Sequence, residues 1–166
     1  MTIRPETAAD EQAIGDVTRR AFFGRHYSAG NEQEIVDALR SQGALTVSLV
    51  ADSGEAIVGH VAFSPARAAD GAVGWYTLGP VSVVPECQRQ GIGQALVNAG
   101  LEQLKERGAS GCIVLGNAAY YSRFGFTKAP GVAPPGVPSE HFMIVSLGGP
   151  VPSAPVYFHT AFRVEG

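Results

Sequence analysis

Behind Thr7 and Asp10, which have the spacing of a capping box, the apolar residues Ile14, Val17 and Ala21 recur at helical spacing and predict a helix over residues 8–23. Ile35, Val36 and Leu39 predict a second helix that opens at Asn31 with Glu34 and runs to about Gln42. The segment between them, residues 24–30 with Arg25, His26 and Tyr27, reads as a polar-aromatic loop. Two apolar runs follow, residues 45–51 and 56–63, and the Asp52-Ser53-Gly54-Glu55 break between them is a hairpin signature. A third run, residues 76–84, is interrupted at Gly79-Pro80. Proline cannot donate to a ladder, so this strand carries an irregularity or lies beside a gap there.

From residue 91 to 107 the rows Ile92/Leu96/Ala99 and Val97/Leu101/Leu104 give an apolar face wide enough to pack on a sheet, and Gly108 ends the helix as a left-handed cap would. A short apolar run, residues 112–115, comes next. Strand-helix-strand spacing of this kind implies a parallel pair joined by a crossover helix. Residues 117–124 can form a short helix, residues 129–138 hold four prolines and predict a loop, and residues 141–147 and 156–164 alternate as strands. The predicted fold is α/β, a mixed and mostly antiparallel sheet with helices on both faces.

Length and charge narrow the function. A chain of 166 residues, 45% hydrophobic and 16% charged, suits one domain spanning residues 1–166. A net charge of -3 with scattered basic residues argues against nucleic acid as a partner. No apolar stretch is long enough for a membrane span or signal region, and Cys87 and Cys112 read as reduced thiols, so the expected location is cytoplasmic. No histidines and cysteines have metal-ligand spacing, so no metal is expected.

The chemistry concentrates in residues 78–96, Leu-Gly-Pro-Val-Ser-Val-Val-Pro-Glu-Cys-Gln-Arg-Gln-Gly-Ile-Gly-Gln-Ala-Leu, where a strand, a tight turn and a helix start are continuous. A helix N-terminus presents unpaired amides and a positive dipole to an anion such as a pyrophosphate, and glycines at 91 and 93 let phosphates approach the backbone. By itself such a turn is equally a structural cap. A dinucleotide fingerprint fits poorly, with Leu96 at the third glycine position, and no Gly-Lys-Ser/Thr of a P-loop is present.

The pattern Gln/Arg-x-x-Gly-x-Gly/Ala after a strand ending Val-x-Pro, with Gln88, Gly91 and Gly93 in its fixed places, resembles motif A of the GCN5-related N-acetyltransferase (GNAT) superfamily. Residues 117–126, Asn-Ala-Ala-Tyr-Tyr-Ser-Arg-Phe-Gly-Phe, resemble that superfamily's Asn…Tyr-x-x-x-Gly-Phe segment. The opening Ile-Arg-Pro-Glu-Thr, Gly59-His-Val-Ala-Phe-Ser-Pro65 and residues 157–162 are similar to its YhbS-like branch.

The resemblance implies acetyl-CoA as cosubstrate and a splayed parallel strand pair that admits its pantetheine. It implies cofactor contacts from Gln88, Arg89, Gln90, Gly91, Ile92, Gly93 and Asn117, with the backbone of Val81 and Val83 pairing with the pantetheine amides. Asn117 is also read as a plain N-cap. Tyr121 is the candidate proton donor to the departing thiolate, with Tyr120 as fallback, since phenol and thiol reference pKa values of about 10 and about 8.5 permit transfer across a hydrogen bond. Glu86 is a candidate general base; Glu32, Glu34, His26 and water are alternatives. His60 reads as a satisfied, partly buried strand histidine beside Val58 and Ala62.

The expected activity is direct transfer of an acetyl group to a primary amine of a small molecule in a ternary complex. The alternatives are a non-catalytic acyl-CoA-binding or regulatory domain, or transfer to protein or aminoacyl-tRNA amines. Homodimerisation through apolar residues of the terminal strands is left open.

Overall fold

A computed structural model of the chain describes residues 1–163. The strands are β1 (Thr2–Pro5), β2 (Val47–Asp52), β3 (Ile57–Pro65), β4 (Arg67–Ala68), β5 (Trp75–Val83), β6 (Gly111–Leu115), β7 (Thr127–Lys128), β8 (Phe142–Ser146) and β9 (Val156–Tyr157). The helices are α1 (Glu11–Phe22), α2 (Glu32–Ser41), α3 (Ile92–Glu106) and α4 (Ala118–Tyr121), with several single 3-10 turns. Seven strands share one mostly antiparallel sheet in the order β1-β2-β3-β5-β6-β8-β7, with β5 and β6 parallel. β4 and β9 form a separate two-stranded sheet. The chain divides into two compact units. The first comprises residues 1–63, 79–101 and 160 onward; the second comprises residues 64–78 and 102–159.

In the first unit, β2 is flanked by β1 and β3, with Val50 opposite both Arg4 and His60. Ile14 of α1 and Val36 of α2 bury against Val50, with Ile57 packed at the edge of the cluster. Ile14, Val36 and Val50 are completely buried, which is worth about 1.5–3 kcal/mol for each such side chain. The opposite face takes α3. Ile92 and Leu96 lie over Gly59, and the ring of Phe63 fills the space where Gly100 has no side chain. The first unit thus carries helices on both faces of its strands. A register shift between Ala51 and Asp52 pairs Asp52 with Ile57 rather than Val58, and Ile57 joins the cluster at Val50.

The second unit is built on Trp75, Ile113, Phe142, Ile144 and Val156, with Ala129, Ala133 and Val137 of the proline-rich segment packed against them. That segment is therefore tied down by its apolar residues although it contains only a 3-10 turn, Pro130–Val132. The parallel ladder pairs Trp75–Thr77 with Gly111–Ile113. β5 itself runs on through Gly79, at φ 134°, and a cis Gly79-Pro80 bond to Val83. The C-terminus of α3 is capped as the sequence predicts. Gly108 has φ 76°, its N–H donates to the Lys105 carbonyl (2.9 Å), and the Ala109 N–H donates to the Leu104 carbonyl (3.0 Å), a Schellman pattern.

Several sequence expectations change. The first turn of the helix predicted over residues 8–23 is a 3-10 turn, Ala8–Asp10, in which the Asp10 carboxylate accepts from the Thr7 N–H (2.7 Å). Asn31 stands at the N-cap position of α2 without a side-chain cap bond. The strand predicted over residues 156–164 stops at Tyr157; Thr160–Arg163 is a 3-10 turn, and Val164 lies outside the described residues. His60 is fully buried rather than partly buried, and among the described residues its Nδ1 has no partner, so it is not fully satisfied.

Candidate functional site

β5 leaves the sheet through Val84, and a 3-10 turn, Pro85–Cys87, redirects the chain toward the N-terminus of α3 at Ile92. Arg89 takes φ 64° and Gly91 φ 83° in the intervening turn. Two left-handed residues so close together make a tight turn at the head of the helix, where backbone amides without intrahelical partners suit an anion. At Gly91 a left-handed glycine is needed for the backbone alone, since no neighbour lies within 4 Å of where its Cβ would be.

Gln88 anchors this turn. Its amide Nε2 donates to the Val83 carbonyl (2.9 Å), and its Oε1 accepts from Arg25 Nη2 of the loop after α1 (3.3 Å). The neighbouring Glu86 is held too, with both carboxylate oxygens 2.6 Å from Arg20 Nη2. The Gln90 side chain reaches back toward the Glu86 carbonyl at 3.4 Å. Sequence reasoning missed Arg20 and Arg25 as structural partners of the turn. The only signal for them was the basic character of the end of α1 and its loop.

The Val84 N–H donates to the Val58 carbonyl of β3 (3.0 Å). Backbone groups of successive strand residues point to opposite sides, so those of Val83, and of Val81 two residues earlier, point away from β3. Both residues lie beyond the part of β5 that pairs with β6.

The Arg20 guanidinium bonded to Glu86 pulls its carboxyl below the usual range, which makes it a weaker proton acceptor. Side chains more than half exposed on both partners place the pair at the surface. Among the other candidate bases, Glu32 accepts from the Ser28 hydroxyl (2.7 and 2.8 Å), Glu34 is exposed, and His26 stands exposed with its ring 5.5 Å from that of Tyr27.

The second unit contains the other predicted residues. Asn117 caps α4, its side-chain oxygen accepting the Ala119 N–H at 2.8 Å, so the cap reading of this residue holds. Tyr121 is half-buried. Its ring sits edge-on to Phe126 (5.9 Å) and Tyr120 (5.0 Å) and covers Gly116, where a Cβ would overlap it. Tyr120 differs in environment: the Arg123 guanidinium lies 4.5 Å from its ring centre, and burial pushes its phenol above the usual value. Gly125 ends the turn at φ 95° and lets Phe126 enter the core, 1% exposed. Cys112 is completely buried, and burial raises its thiol above the ordinary range. Cys87 is half-buried. No helix among the described residues is long and apolar enough to cross a membrane.

A family model described as the Acetyltransferase (GNAT) family matches residues 12–126. The Escherichia coli K12 protein named "Uncharacterized N-acetyltransferase YhbS" is 37% identical over 130 residues, covering 78% of this chain and 75% of the relative. A crystal structure of a GNAT family acetyltransferase from Brucella melitensis in complex with acetyl-CoA superimposes with a TM-score of 0.87 at 44% identity, covering 97% of each chain. That of YhbS from Escherichia coli in complex with CoA gives 0.88 at 31%, covering 99% of this chain and 93% of the other. The chain therefore belongs to the acetyltransferase (GNAT) family, as an N-acetyltransferase of its YhbS-like branch.

Proposed function

We propose that the protein binds acetyl-CoA on the turn from Gln88 to Gly93 and transfers its acetyl group directly, in a ternary complex, to the primary amine of a small molecule. The observation that carries this reading is the turn itself. A strand leads into a helix N-terminus through left-handed Arg89 and Gly91, with Gln88 pinned to Val83. A 44% identical relative has been solved in complex with acetyl-CoA, which supports the same reading.

In this proposal the amides from Arg89 to Gly93 receive the diphosphate, Gln88 and Gln90 fix the turn, and the outward backbone of Val81 and Val83 pairs with the pantetheine amides. By resemblance, Asn117 contributes its side chain to the cofactor, and Tyr121 protonates the leaving thiolate. The amine nitrogen attacks the thioester carbonyl, the tetrahedral oxyanion is stabilised by a backbone amide near Val83, and the carbon-sulfur bond breaks as the Tyr121 proton moves to sulfur. The attacking amine loses its own proton to water. Glu86, paired with Arg20, is assigned to holding the turn rather than to accepting that proton. A chain with net charge -3 and no basic stripe fits a small amine better than a tRNA-borne one.

The test is release of free CoA from acetyl-CoA across polyamines, amino acids, aminoglycosides and peptide N-termini, alongside calorimetric binding of CoA. Turnover with a small amine supports the proposal. CoA binding without turnover on any amine would favour a regulatory binding domain instead.

A further inference from the structure

We infer that Arg25, from the loop between α1 and α2, is a phosphate-contacting residue of the cofactor site. The inference rests on the acetyl-CoA reading above and extends it to a residue outside the glycine turn. The charge pattern motivates it. Arg4 pairs with Asp10 and Asp52, Arg19 with Asp16, Arg20 with Glu86, Arg40 with Glu6, and Lys105 with Glu102. Arg25 is exposed, and among the described residues its side-chain hydrogen bond goes to the neutral Oε1 of Gln88, at 3.3 Å. Among the described residues no ion pair joins Arg25 to a carboxylate, which holds equally for Arg67, Arg89 and Lys128; what sets Arg25 apart is that it comes from a distant segment and bonds to Gln88 of the turn before α3.

A helix N-terminus carries positive partial charge, so a guanidinium beside it is favoured when an anion lies between the two. The placement is specific. Gln88 is fixed to Val83, so Arg25 is delivered to a set point three residues before Gly91. Gly24 (φ 71°) and Gly30 (φ 78°) take left-handed conformations at the two ends of its loop, and Tyr27 packs against Phe22 (6.3 Å). A guanidinium matches phosphate oxygens with paired donors, which a neutral glutamine does not.

CoA carries a diphosphate and a 3′-phosphate, so calorimetric titration with CoA and with dephospho-CoA separates the two sources. Arg25→Ala and Arg25→Gln are expected to bind CoA about 10-fold more weakly than wild type, and Arg25→Lys to recover part of the loss. The salt dependence of binding should become shallower, with thermal midpoints unchanged. Weakening toward CoA alone assigns the 3′-phosphate; equal weakening toward both assigns the diphosphate. Wild-type affinity in Arg25→Gln overturns the inference, since that variant can keep a neutral contact with Gln88 but has no charge. If the wild-type protein binds no CoA, the cofactor reading falls first and this inference with it, an outcome scored before any variant is made.

Discussion

The ring of Tyr121 occupies the space that a side chain at Gly116 would take, so the smallest residue in the segment sets the position of the phenol. Gly116→Ala would push that ring out of its place beside Phe126. We expect Tyr121→Phe to lower kcat about 100-fold through loss of the proposed proton donor. Gly116→Ala should lower kcat about 10-fold with little change in CoA affinity, because misplacement by part of an ångström weakens transfer without removing the group. Steady-state kinetics with calorimetric binding checks both. Normal kcat in Tyr121→Phe would remove the tyrosine from the mechanism.

Glu86 gives the opposite expectation. With Arg20 bonded to both of its oxygens, the carboxylate is stabilised as an anion and is poorly suited to take a proton near neutrality. Glu86→Gln should keep kcat within about threefold and leave the acid limb of the kcat/KM profile where it was. A loss on the order of 100-fold, with that limb abolished, would make Glu86 the base.

His60 should make stability depend on pH. Its Nε2 lies 2.7 Å from the Ser48 hydroxyl, which itself donates to Glu6 in a short hydrogen bond, so the proton belongs on Nε2 and the unpartnered Nδ1 is bare. Burial lowers the pKa from 6.5 to about 4. The unfolded chain binds a proton on this residue below 6.5 and the native chain does not until about 4, so folding stability falls as the pH drops through that window and is fully present above it. The loss from this one group is at most about 3 kcal/mol by pH 4. Urea midpoints measured from pH 7.5 to 4 should show the slope, and His60→Leu should flatten it. An unchanged slope in that variant would assign the effect elsewhere.

Gly100 of α3 sets two effects against each other. Alanine is the better helix former by about 1 kcal/mol. Its methyl group, however, would run into the ring of Phe63, which is completely buried and has no room to withdraw. Overpacking of this kind costs about 1–3 kcal/mol, so Gly100→Ala should lower the thermal midpoint. A raised midpoint would mean that the helix and sheet move apart freely.

What could be read from the sequence was what local periodicity and local chemistry encode. The rows on α3 are buried at Ile92, Leu96, Val97, Leu101 and Leu104 as their spacing requires, and Gly108 forms its cap from residues at most five apart. Gly79-Pro80 marked an irregularity in β5, and the structure has one there. The strand expected over residues 156–164 failed because alternation reports only which residues are buried. Ala161 and Phe162 are adjacent, yet both pack with Ile35 and Leu39, which suits a 3-10 turn and not a strand.

In the site, the glycine turn was legible because Gly91 acts through its own backbone, at φ 83°. The partners of Glu86 and Gln88 were not. Arg20 and Arg25 meet them across 66 and 63 residues of chain, and no local pattern announces a contact over that separation. The depressed basicity of Glu86 follows from that pairing, so it too was out of reach.

The bond from Gln88 to the Val83 carbonyl also limits what the outer side of β5 can accept. A strand whose donors and acceptors face outward is a template for any extended chain, including another protein's edge. Here the last acceptor is already engaged by the glutamine amide. A carbonyl has two lone pairs, so an extended guest along this strand would share the Val83 acceptor with the glutamine amide, and a change at residue 88 would be felt along the strand as well as in the turn.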